Sequence, residues 1–316
     1  MKKESFSVEL RKNWQKNWQL YLLILPLIIW LLLYFIKPLW GIAIAFENYS
    51  PFKGVIGSEW VGLDNFKDLM VGQSSMYFWR AFKNTIIISM YGIVFAFPIP
   101  IILALLFNEV KNATYRKYVQ TITYLPYFIS EVVVAGLVLS FLALNTGIVN
   151  VLINNICQLF GIHYDQIQFM SLPKYFRFVY IASGVWKSSG FDSIIFFAAL
   201  CGISPTLYEA AKMDGANKFK QMLHVSLPGI TPTIVIMLII RIGHILTIGY
   251  EKVLLLYNPM IYSTADILST YTYRLGMENV NYGLSTAASL LNSVIGFIMV
   301  VMANRLSRKL TETSLW

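Results

Sequence analysis

Six stretches of 17 to 25 residues, each dominated by apolar side chains, recur along this 316-residue chain at about 20–36, 84–107, 122–144, 176–200, 233–250 and 286–303. A helix needs about 20 mostly apolar residues to cross the hydrocarbon layer of a bilayer. Inside that layer the backbone must satisfy its own hydrogen bonds. The pattern therefore predicts an all-α integral membrane protein of about six transmembrane helices. Pro26, Pro98, Pro100 and Gly190 inside or beside these runs are tolerated in membranes more readily than in water. Charged residues make up only 13% of the chain, about half the ~25% that a soluble domain carries.

The connecting segments set the orientation. With the N-terminus inside, the inner segments (1–19, 108–121, 201–232, 304–316) hold fourteen Lys and Arg, against eight in the longer outer segments (37–83, 145–175, 251–285). Positive charge marks the cytoplasmic side, so both termini are expected there, in a multi-pass protein of the cell (plasma or inner) membrane. The division is a cytoplasmic segment 1–19, a transmembrane domain 20–303 and a cytoplasmic tail 304–316. The basic leader precedes an apolar run too long for a cleaved signal, so the first run is expected to stay as a helix. The net charge of +9 sits in short patches between apolar runs, which excludes nucleic acid as a partner. Cys157, Cys201, His163, His224 and His244 are dispersed and offer no metal-ligand spacing. Aromatic residues in the outer segments (Trp60, Phe66, Phe78 and Trp79; Tyr257, Tyr262, Tyr271 and Tyr273) suit an interfacial belt or a surface receiving a partner or a sugar ring.

The third inner segment, 204–232, carries the most information. Ser204 and Pro205 open a helix as N-cap and first helical residue. Gly215 is placed to end it in a left-handed conformation, and Pro228 and Pro232 end a second helix. Phe219, Met222, Leu223 and Val225 give that second helix an apolar face. Two readings stand open: the face packs beneath the protein's own helix ends, or it docks in a groove of another protein.

The pattern Glu209-Ala210-Ala211, Asp214-Gly215-Ala216, Phe219, Met222, Val225, Leu227-Pro228 and Pro232 resembles the EAA loop of binding-protein-dependent ABC import permeases, with Met222 where the family often has Phe. The likeness extends along nearly the whole chain. Asn48 to Gly54, Trp60 to Phe66, Asn84-Thr85 and Leu125-Pro126 are similar to carbohydrate-uptake permeases. Tyr257-Asn258-Pro259 and Tyr271 to Arg274 resemble the branch that handles complex oligosaccharides. The resemblance implies the type I importer permease fold, with 204–232 as the loop coupled to an ATPase. It also implies the partners: a second, related permease, two ATP-binding cassette subunits that use ATP and Mg, and an external solute-binding lipoprotein delivering a carbohydrate. This chain has no GxxxxGK[ST] loop of its own and is expected to bind no cofactor and catalyse no reaction.

Charges at membrane depth are costly and mark function by default. Lys187 and Asp192 fall in the fourth run and Arg241 in the fifth, with His244 one turn on. Either Lys187, Asp192 and Arg241 satisfy one another or cap broken backbone, or Asp192, Arg241 and His244 line a translocation path together with Trp186 and Asn292. Glu109 and Glu131 read as interface residues. A permease for another polar solute, such as glycerol phosphate, is the alternative. A secondary transporter would need several intramembrane acids in matched halves, and no internal repeat is present.

Overall fold

The computed structural model describes residues 6–246 and 249–311; the ends of the expected 1–19 and 304–316 segments, at 1–5 and 312–316, lie outside the described residues. Among the described residues the chain is helical apart from loops and one strand pair, Glu47–Asn48 against Glu59–Trp60.

Three helices are long and apolar enough to cross a membrane unaided: Lys16–Phe46, Ser75–Glu109 and Tyr282–Arg305. Three bent pairs qualify when taken together: Ala113–Phe128 with Glu131–Phe141, Pro173–Cys201 with Pro205–Met213, and Lys218–Gly229 with Thr231–Gly243. These give up to six candidate spans, numbered here in chain order.

Two runs expected as single helices are broken. The third, 122–144, turns through 96° between Phe128 and Glu131. Pro126 sits in a tight 3-10 turn, and the Ser130 hydroxyl caps the next helix by accepting from the Val133 N–H. The fifth was expected over 233–250. Its helix stops at Gly243, and the chain restarts as Tyr250–Leu256 after Gly249, whose φ is +47°. Glycine carries this left-handed backbone without the clash a Cβ brings. The freed carbonyls find donors on neighbouring spans. Ser89 Oγ donates to Ile245 O, and Asn292 Nδ2 donates to Leu246 O at 3.2 Å.

Three apolar clusters hold the spans together. One joins the second and sixth spans through Phe78, Leu246, Leu268, Tyr271 and Leu284. Another sets Phe176 against Val253, Leu256 and Ile261. The third, beside the 204–232 loop, contains Ile101, Leu105, Phe196, Leu200 and Ile230. In the segment 251–285, whose tyrosines were expected in an interfacial belt or a receiving surface, Tyr271 is buried with Val253, Ile261 and Ile267 in the core, while Tyr273 is exposed. Gly190 lets the fourth span lie directly on the helix Ala113–Tyr124, because a Cβ there would collide with the Thr123 carbonyl.

Candidate functional site

Irregular backbone inside an apolar helix is tolerated where it lines a cavity or is buried in protein, and here the irregularities converge. The second span has one π turn, Gly92–Ala96, while the fifth is interrupted between Gly243 and Tyr250. Both face the fourth span across a cavity of about 460 Å³ lined by Ser89, Gly92, Phe97, Tyr180, Asp192, Phe196, Arg241 and His244, among others. A second cavity of about 440 Å³ adjoins it, sharing Tyr180, Arg241 and Gly249 and adding Glu131, Lys187, Glu251 and Lys252. Glu131 reaches it from the first turn after the bend of the third span.

The ionisable groups differ in how they are held. Lys187 is paired with Glu131 at 2.5 Å, so both groups belong to a wall contact between the fourth and third spans. The Lys252 ammonium donates to the Tyr180 carbonyl at 2.9 Å and lies 4.7 Å from the centre of the Tyr180 ring. The Arg241 guanidinium lies over Gly92, where an added Cβ would come within 3.4 Å of it. Of the five residues expected along a path, the structure brings Asp192, Arg241 and His244 to one cavity. Trp186 is 49% exposed on the chain's outer surface, and Asn292 holds the broken fifth span through Leu246. Sequence reasoning missed Tyr180, Ser89, Gly249 and Lys252. The glycines at 243 and 249 bracketing a short apolar stretch were the available sign of a break.

Beyond the cavity, a buried polar knot fixes segment 258–274. Asn84 Nδ2 donates to the carbonyls of Ser263 and Asp266 at 3.1 Å each, and its Oδ1 accepts from Arg177 at 2.9 Å. Asp266, fully buried, accepts from Arg274 at 2.6 Å and from Thr270 at 3.0 Å, with Arg80 at 3.7 Å. Burial opposes the charge of Arg274, but the Asp266 carboxylate more than offsets it and leaves the guanidinium above its usual value. Burial also pushes the Tyr271 hydroxyl up to about 12, so it stays protonated.

At the opposite end lies the 204–232 loop. Pro205–Met213 is helical, Gly215 turns the chain with φ +76°, and Asn217 caps the next helix by accepting from the Lys220 N–H. That second helix ends at Gly229, between Pro228 and Pro232 as expected. It runs from Lys218 to Gly229 through a π turn, Met222–Ser226, and bends by 59° into the fifth span. The apolar face expected over Phe219, Met222, Leu223 and Val225 is divided. Met222 packs into the cluster of Phe196 and Ile230, while Phe219 is 63% exposed and Leu223 40%. Met213, 88% exposed, and Leu207 add to the outward face. The loop is anchored by the Tyr208 hydroxyl on Ser226 Oγ at 2.9 Å and by Lys218 on Glu109 of the second span at 3.2 Å. Glu209, Ala210 and Ala211 lie on the first loop helix and Asp214 caps its end, while Ala216 accepts at its carbonyl from Gln221 at 2.8 Å.

Residues 96–312 match the family described as "Binding-protein-dependent transport system inner membrane component". The chain belongs to this family. Permease YteP of the polygalacturonan/rhamnogalacturonan transport system of Bacillus subtilis (strain 168) is 41% identical over 94% of this chain and 90% of its own length. Protein LplB of the same organism is 40% identical over 94% of this chain and 91% of its own length. Among solved structures, a chain of a bacterial ABC transporter involved in import of the acidic polysaccharide alginate superposes with a TM-score of 0.86 at 44% identity, covering 96% of this chain and 99% of that one. A chain of a bacterial alginate ABC transporter in complex with an alginate pentasaccharide-bound periplasmic protein superposes with a TM-score of 0.85 at 44% identity, covering 96% of this chain and 99% of that one. This permease therefore shares their fold.

Proposed function

We propose that the chain is one half of the translocation path of an ATP-driven importer of oligosaccharides, with six spans and both termini in the cytoplasm. An external binding protein delivers the sugar chain to it. A second, related permease completes the path, and separate ATPase subunits, using ATP and Mg, engage the 204–232 loop. The observation that carries this reading is the outward apolar face of that loop. Phe219, Leu223, Met213 and Leu207 are presented on short helices that are braced from behind by Met222, Tyr208 and Lys218. Exposed apolar side chains on a rigidly braced helix fit a helix-in-groove contact, and the brace leads straight into the fifth span, whose far end carries Arg241 and His244 into the cavity. A push on the loop would thus reach the path through one continuous element. The saccharide reading is supported by the aromatic walls, Phe97, Phe196 and Tyr180, set beside Asp192 and His244. Aromatic faces cover the apolar faces of sugar rings, and a few placed polar groups bind their hydroxyls. The names of the relatives point the same way.

The test is co-expression with the ATPase of the same operon, followed by pull-down. Wild type is expected to capture the ATPase. Phe219→Asp and Gly215→Pro, the latter incompatible with a φ of +76°, are expected to lose it while still inserting in the membrane. A wild type that captures no ATPase overturns the reading.

A further inference from the structure

A third cavity, of about 430 Å³, lies between the second and fourth spans, at the end of the fourth remote from the 204–232 loop. It shares only Ile181 with the two cavities described above. Most of its wall is apolar, with Tyr91 and Phe95 of the second span set beside Phe178 and Ile181 of the fourth. Phe95 and Phe178 are exposed, so this is a groove on the chain's outer surface. One end differs. Lys174 and Arg177, one turn apart on one helix face, line it, and no carboxylate does. Among the described residues neither cation comes within 4.0 Å of a carboxylate. Arg177 Nη2 donates to the neutral Asn84 Oδ1 at 2.9 Å, and its Nε is buried with no acceptor. The Lys174 ammonium lies 4.8 Å from the centre of the Tyr175 ring. An amide oxygen and a ring face orient a cation without cancelling its charge.

Depth separates the two ends. The helix Pro173–Cys201 has 29 residues and is about 43 Å long, against ~30 Å of hydrocarbon. Its first two turns, which carry both cations, therefore reach the headgroup layer, while Phe178 and Ile181 lead down into the apolar layer. Two uncancelled positive charges at the head of an apolar groove match an amphipathic anion. A small anion would use the cations alone and leave the aromatic wall unfilled. A helix of another subunit would have to bring its own acid to the membrane, a costly residue there, whereas an anionic phospholipid presents its charge at this level. We propose that the groove binds an anionic phospholipid. Its phosphate sits between Lys174 and Arg177, where the guanidinium can offer paired donors, and an acyl chain lies along Tyr91, Phe95 and Phe178.

The experiment titrates phosphatidylglycerol and phosphatidylcholine, with matched acyl chains, onto the complete transporter in detergent and reads bound lipid by native mass spectrometry. Wild type is expected to bind the anionic lipid more tightly. Lys174→Gln and Arg177→Gln should each weaken phosphatidylglycerol about fivefold and phosphatidylcholine less than about twofold. Phe95→Ala combined with Phe178→Ala should weaken both lipids. Arg177 also holds Asn84, so Lys174→Gln, at an exposed side chain, is the variant that removes charge without disturbing the fold. Equal phosphatidylglycerol binding by wild type and Lys174→Gln overturns the site. Displacement of phosphatidylglycerol by millimolar inorganic phosphate, with no effect of the aromatic pair, makes it a site for free anions and overturns the lipid. A photoreactive residue at position 178 that forms adducts with another subunit, and none with lipid, makes the groove a subunit contact and overturns it as well.

Discussion

Asp266 illustrates what a single side chain does in this protein. It is fully buried, meets Arg274 at 2.6 Å and faces Arg80 at 3.7 Å, and through Thr270 it closes the turn that starts the helix Leu268–Tyr273. Removing one member of a buried pair leaves an uncompensated charge, at a cost of about 3–5 kcal/mol. Asp266→Ala is therefore expected to lower thermal stability in detergent by that order. A loss below about 1 kcal/mol would mean that water reaches Arg274. Asn84 is the companion case. It was singled out in the sequence only as part of a family-like pair with Thr85. Its physical role lies in carbonyls 179 and 182 residues further on, and Thr85 Oγ1 likewise accepts from the Leu268 N–H across 183 residues. No local pattern could disclose partners so distant. Arg241 and Asp192, by contrast, were legible because charge in an apolar run is conspicuous on its own.

At the scale of the element, hydropathy locates the apolar runs and is blind to where they break. Ser130 falls inside the third apolar run and Gly249 at the end of the fifth, and a window average takes no account of a cap or a positive φ. The loop helices at 205–229 were easier to read, since Pro205 and Gly215 stand in a polar stretch where such residues act as punctuation. Two left-handed glycines make the contrast testable. Gly215 has a φ of +76° with open space where a Cβ would go, whereas at Gly249 the Cβ would run into the Tyr180 hydroxyl. Gly215→Ala is expected to cost only the backbone strain, about 1–2 kcal/mol, and to keep ATPase capture. Gly249→Ala adds a steric collision at the cavity wall and should abolish uptake of the transported sugar with assembly of the complex retained. Wild-type uptake in Gly249→Ala would show that the break in the fifth span can shift without affecting the path.

The whole molecule exposes more surface than one compact body should. Its 20591 Å² compares with about 13,000 Å² expected for a soluble monomer of 36.1 kDa. The first candidate span, Lys16–Phe46, contributes to the excess: none of its apolar window is buried against the rest of the chain. Lipid alone could cover that window, but only the far end of the span, at Ala45 and Phe46, packs on the rest of the fold, and the window itself has no packing to fix its direction. Its exposed face carries Trp30, Tyr34 and Phe35, large rigid side chains of the kind that anchor interfaces. The second permease is the occupant that fits an importer with half a path in each chain. A photoreactive residue placed in turn at each position from 20 to 36 is expected to form adducts with that second permease at positions repeating every three to four residues, the spacing of one helix face. Adducts with lipid at every position, and with protein at none, would leave the first span facing the bilayer and move the subunit contact to the other spans. The apolar run itself was plain in the sequence. That its apolar window lies apart from its own chain was not, because a hydrophobic helix reads the same whether its neighbour is lipid, its own fold or a partner.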